Sequence, residues 1–238
     1  MMVPPTWLTA IASVGLTSGF ASAVIILIDV YARGYRQRMG IMEAVWPITA
    51  RYFGPAAVWT YWRYGRPNSR RWLRRHQHDR PPDKPKWATT AIGVSHCGAG
   101  CTLGDIIAII AIIAKFAVFA LGVELLGRAL LPEYVGDYVA ALALGILFQY
   151  YAIAPMRGLG FRDGMVAAAK ADVLSLTAFE VGLFGWMAVM SFLLFPASPL
   201  PPDTAAYWFL MQIGMIIGFA TAWPANVWLI RRGIKEAM

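Results

Sequence analysis

A chain of 238 residues in which 58% of side chains are hydrophobic and only 14% are charged, with a mean hydropathy of +0.54, has too few polar groups to cover a water-soluble fold. Its net charge of +8 does not point to nucleic acid, because Lys and Arg fall in short segments between apolar runs rather than across one face. Two cysteines, Cys97 and Cys101, exclude a disulfide framework.

The apolar runs are about 20 residues long, which matches the ~30 Å hydrocarbon thickness of a bilayer. The expectation is an all-α, polytopic transmembrane helical bundle with about six spans, between five and seven. Residues 7–28 lack a positive n-region and a small-residue cleavage site, so they read as a retained helix and not a signal peptide. Residues 42–62 form the second segment and contain Glu43, Pro47, Arg51 and Pro55. Proline kinks a helix and an intramembrane arginine is costly to insert, so a re-entrant segment is the alternative to a crossing here. Residues 1–63 thus form a unit of two N-terminal helices.

Residues 63–86 hold nine Lys or Arg against two Asp, which marks 64–86 as a basic cytoplasmic loop. Its RRWLRRHQH portion suits an interfacial helix on anionic lipid; a solvated loop that sets topology is the plainer reading. The third apolar region, 87–131, is longer than one span, and Lys115 and Glu124 interrupt its second half. It reads either as one long helix or as two pieces broken at Gly93, Gly98, Gly100 and Gly104. LPEYVGD, 131–137, is expected to be an acidic external turn.

Span 138–155 returns to Arg157 and Arg162, and 171–195 leaves again, with a helical extension from 164. PASPLPPD makes a proline-rich external turn, and 205–230 ends at RRGIK. Residues 87–238 form a four-helix membrane core with a cytoplasmic C-terminus. The three arginines of YARGYRQR, 31–38, spoil this alternation, since six spans would put them outside.

Within the core, SHCGAGCTLGD places an imidazole, two thiols and a carboxylate on an apolar helix, where polar groups are expensive. At 100° per residue Cys97, Cys101 and Asp105 share one stripe, and Gly93, His96, Gly100 and Gly104 share the next. The bare stripe admits a second helix closely. Thiolate and imidazole suit Cu(I), Zn or Fe, which makes His96, Cys97 and Cys101 the candidate metal ligands. Packing by small, mildly polar residues is the plain alternative. A second polar set, KADVLSLTAFE, supplies Lys170, Asp172 and Glu180 as supporting groups or a proton relay, together with Asp105. Arg157, Lys115, Lys170 or a bound cation are the candidate partners of Glu180. Gln149, Gln212 and Asn226 read as interhelical hydrogen bonds, and His76 and His78 as ordinary residues of the basic loop. No phosphate-binding loop, zincin motif, nucleophile elbow or dinucleotide fingerprint is present in the sequence.

SHCGAGCTLGDII, FQYYAIAPMRGL, AAAKADVLSLTAFEVGLFGWM and WLIRRGIKEAM, in that order, resemble the bacterial membrane proteins of domain of unknown function 4396 over residues 87–238. The resemblance implies a multi-helix bacterial inner-membrane protein of unestablished activity with HCGAGC as its hallmark. Members commonly carry an acidic residue directly after DIIA, where this chain has Ile109.

The functional expectation is a multi-pass membrane protein that handles a thiophilic transition metal, Cu(I) favoured with Zn or Fe as alternatives, as a transporter or metal-insertion factor and not an enzyme. A thiol-disulfide oxidoreductase is the rival, weakened because three residues separate the cysteines where redox pairs use C-x-x-C. A non-catalytic scaffold is the third reading. The expected partners are the bilayer, anionic lipid at the basic loop, a metal ion, and either a second copy or another membrane protein; nucleic acid is not among them.

Overall fold

A computed structural model describes residues 4–110, 130–196, 200 and 203–235. Lys115, Glu124 and most of the proline-rich turn lie outside them. Among the described residues the fold is helical, with one isolated bridge between Gln37 and Ser69.

Helix α1, Thr6–Leu27, is apolar around its whole circumference and continues through a π-turn, Ile28–Ala32. Helix α2, Met42–Phe53, and α3, Pro55–Thr60, follow, with a π-turn Tyr61–Gly65 after α3. Helix α4, Arg70–His76, lies within the basic segment, its N-terminus capped by the Ser69 hydroxyl, which accepts from Trp72 N at 3.2 Å. Helices α5, Lys86–Ile110, α6, Leu130–Arg157, α7, Phe161–Val189, and α8, Ala205–Arg231, complete the bundle.

Among the described residues four stretches are long and apolar enough to cross a bilayer: Thr6–Ala32, Tyr134–Pro155, Phe161–Leu194 and Ala205–Arg231. Large apolar side chains such as Val14, Phe161, Val181 and Leu193 stand on their outer faces, as lipid contact requires. The chain is a helical membrane protein. Helix α5 packs against α2, α6, α7 and α8, so it is enclosed by protein and can carry the polar HCGAGC residues.

Hydropathy alone reads 42–62 as one span, but the structure makes it a hairpin. Helix α2 has 12 residues, about 18 Å at 1.5 Å per residue, too short to cross. At Gly54 the backbone takes φ 57°, ψ −134°, beside Ser18 halfway along the first helix. The chain then comes back, so that the Tyr61 hydroxyl donates to Asp29 Oδ2 at 2.9 Å and Arg66 pairs with the same carboxylate at 3.1 Å. Entry and exit therefore lie at one end of the bundle. This removes the misplaced arginines of 31–38: they share that end with the basic loop, where Arg36 is held charged by Glu43 at 2.8 Å.

Of the two readings of the glycine-rich segment the break does not occur, and one further expectation changes. Helix α5 is continuous through Gly93, Gly98, Gly100 and Gly104. Residues 131–137 belong to α6, because a proline in the first turn of a helix forfeits no intrahelical donor.

The glycines serve close approach. A Cβ on Gly100 would stand 2.7 Å from Gly145 Cα, and one on Gly104 2.5 Å from Ala141 Cα, so α5 and α6 run antiparallel with backbones in contact. The Tyr138–Thr177 hydrogen bond and the Tyr134–Phe184 ring stack set α7 antiparallel to α6. Gly182 against Gly218 does the same for α8 on α7.

Candidate functional site

The two stripes of α5 face different helices. Gly100, Gly104 and His96 face α6, while Gly93 faces α8: His96 Nε2 lies 3.0 Å from the Phe148 carbonyl, its ring edge-on to the Phe148 ring. A carbonyl only accepts, so Nε2 carries the proton. His96 Nδ1 has no partner among the described residues.

The thiol stripe faces α7. Cys97 lies against the Asp172 carboxyl and Cys101 against Glu180. Neither cysteine is in a disulfide, and all four side chains are buried. Both oxygens of Asp172 and both of Glu180 lack any O–H or N–H donor among the described residues. In an apolar interior such oxygens are costly unless a proton or a cation compensates them. The thiols are one helical turn apart, about 6 Å of rise, while the carboxyls are two turns apart, about 12 Å. The acids therefore flank the thiols instead of converging on them.

His96, Cys97 and Cys101 were expected as a joint ligand set, but the imidazole points one helix away from the thiols and is held there by Phe148. Among the described residues no three His, Cys, Asp or Glu side chains come together in a way that could hold a metal ion. The side chain of Asp105 lies outside the described residues. Lys170 is exposed on α7, away from the cluster, whereas Asp172, two residues on and about 200° around the helix, is fully buried.

Three residues that the sequence did not single out complete the site. Lys235 is 2% exposed: the chain turns back after α8 and inserts its amine, which donates to Asn226 Oδ1 at 2.7 Å and Ser175 Oγ at 3.4 Å. Asn226 Nδ2 in turn donates to Ser175 Oγ at 2.6 Å, joining α8 to α7 one turn beyond Asp172. The ammonium interacts electrostatically with the Asp172 carboxyl. Gly93 of α5 packs beside this lysine, a Cβ there standing in ordinary contact with Lys235 Cε at 3.9 Å. Tyr52, two residues before the hairpin tip, brings its hydroxyl to Gly98 and toward both thiols. Phe179 wedges between Gly98 and Gly218 and closes the cluster. The sequence signal for Lys235 is faint, because a cationic cluster after the last span reads as a topology marker.

Gln212 donates to the Arg51 carbonyl at 2.6 Å, an interhelical bond as its type suggests, whereas the buried Gln149 amide has no partner among the described residues. His76 and His78 both stack on Trp72, at 4.1 and 5.5 Å between ring centroids, within the basic segment.

No curated protein and no solved structure matches the chain. The model of the family described as a domain of unknown function, 4396, matches residues 86–235, more than half of the 238. The chain belongs to that family of domain of unknown function 4396.

Proposed function

We propose that the protein is a proton-linked membrane carrier in which the Cys97–Asp172 and Cys101–Glu180 pairs are the sites where protons are held and exchanged. The observation that carries this reading is the set of four carboxyl oxygens buried in the bundle with no donor among the described residues but the neighbouring thiols. Intramembrane acids of this kind mark ion and proton pathways, since a bundle gains nothing from them structurally. The half-crossing hairpin supports the same reading. Irregular backbone at membrane depth persists only where protein or a polar path covers it, and carriers place their sites at such breaks. Tyr52 joins the two features, with its hydroxyl between the hairpin and the thiols.

The basic segments 33–38 and 63–86, Arg157, Arg162, Arg231 and Arg232 all belong to one end of the bundle. By the positive-inside rule that end, with the C-terminus, faces the cytoplasm of a bacterial inner membrane. Infrared difference spectra of Asp172→Asn and Glu180→Gln test the proposal, because each substitution removes one carboxyl and leaves the helix polar. Loss of an exchangeable carboxylic-acid band in each variant is expected. Identical spectra in both variants and the wild type end the reading.

A second reading is a thiophilic cation carrier, favoured by the fact that the Asp172 and Glu180 carboxyls each face sulfur. Deprotonated, the four groups are of donor types that suit Zn²⁺ or, through the thiolates, Cu⁺. It requires α5 to move against α7 so that the donors converge, and it leaves His96 out. Metal content of the purified wild type against the Cys97→Ala/Cys101→Ala variant decides it; equal, negligible metal in both removes it.

A further inference from the structure

We propose that Arg51 is the recognition group of a second site, a cleft between α1, α2, α5 and α8 that takes an organic monocarboxylate. The inference does not depend on the proton-carrier reading. Its starting point is an arginine near the middle of the bundle that nothing in the described structure neutralises. Arg51 lies three residues before the hairpin tip, and its backbone carbonyl is fixed by Gln212 at 2.6 Å. Its guanidinium stands 4.6 Å over the Phe20 ring and has no carboxylate within ion-pair distance among the described residues. The other Lys and Arg side chains described belong to the basic end, so Arg51 is the lone described cation in the opposite half.

Tyr52 also lines the cleft, with its hydroxyl beside Thr49 and Gly98. The remaining wall is largely apolar, with Leu16, Ile106, Trp208 and Met215. A guanidinium offers two parallel N–H groups that match one carboxylate. One cation balances one negative charge, so a dianionic phosphate would bring in a charge that no described side chain of the cleft meets. The apolar wall then seats a hydrocarbon body next to the head group. The cation–π contact of Arg51 with Phe20 is weak enough to yield to a carboxylate.

The test uses the full-length protein in a neutral detergent, with sodium hexanoate, 1-hexanol and sodium acetate as probes and calorimetric titration as the readout. Saturable hexanoate binding is expected in the wild type and in Arg51→Lys, with affinity lower by about tenfold or more in Arg51→Gln, the loss of a charge-assisted hydrogen bond. Acetate should bind more weakly than hexanoate, and hexanol should show no saturable binding. The proposal is overturned if the wild type binds no hexanoate, if Arg51→Gln binds it as the wild type does, if hexanol matches it, or if acetate matches it. Arg51→Gln removes an uncompensated charge and Arg51→Lys retains one, so a folding defect in one leaves the other informative.

Discussion

Gly100→Ala tests whether α5 is held against α6 by backbone contact. The added Cβ would stand 2.7 Å from Gly145 Cα, 3.0 Å from Gly145 N and 3.4 Å from the Leu144 carbonyl carbon, all backbone atoms with no rotamer to yield. Carbon–carbon contact is comfortable at roughly 3.5–4.0 Å, so the helices must separate by about 1 Å. The same displacement would stretch the 3.0 Å His96–Phe148 hydrogen bond, which lies one turn away on the same interface. Overpacking of this kind costs about 1–3 kcal/mol. The control is Gly185→Ala, a helical position in α7 with nothing within 4 Å of its would-be Cβ. There helix propensity alone applies, and a gain of up to about 1 kcal/mol is expected. Thermal unfolding of the two purified variants in one detergent gives the comparison, with maleimide labelling of Cys97 and Cys101 as a second readout of loosened packing. If Gly100→Ala proves as stable as Gly185→Ala and its thiols stay as slow to label, the close-contact account of the glycine stripe is wrong.

Gly54→Ala places a side chain at φ 57°, ψ −134°, a region open to glycine alone, so a loss of about 1–3 kcal/mol is expected in the same unfolding assay; an unchanged transition would mean that the hairpin does not turn there. Lys235→Met keeps the length of the side chain but deprives Asn226 Oδ1 of its 2.7 Å donor and Asp172 of the ammonium that interacts with it. A loss of about 1–3 kcal/mol follows for the charged hydrogen bond, and a wild-type melting curve would show that the amine contributes nothing to holding the end of α8.

The helical, membrane-spanning character of the chain was legible because apolar runs of bilayer length leave no other fold. The hairpin was harder. A window of 20 residues scores a segment that enters and returns the same as one that crosses, and only Pro47, Arg51, Pro55 and the arginines of 31–38 hinted at the difference. At the site, Cys97, Cys101, Asp172 and Glu180 could be singled out because each is a polar group on an apolar helix. Which of them meet could not be read, since that depends on the rotation of α5 between two neighbours: His96 is one residue, and about 100°, from Cys97, and so it serves a different interface. Lys170 and Asp172 show the same effect within α7. Lys235 lay beyond reach because its role is set by a chain reversal after α8, for which local sequence carries little signal.

The most direct measurement is infrared difference spectroscopy on the membrane-embedded wild type with Asp172→Asn and Glu180→Gln alongside, following the deuterium-sensitive carbonyl stretch of a protonated carboxyl group. The account requires two such bands, one lost in each variant, each moving when the thiol it faces is changed by Cys97→Ala or Cys101→Ala. Spectra with no protonated carboxyl band, or with bands indifferent to all four substitutions, would contradict it.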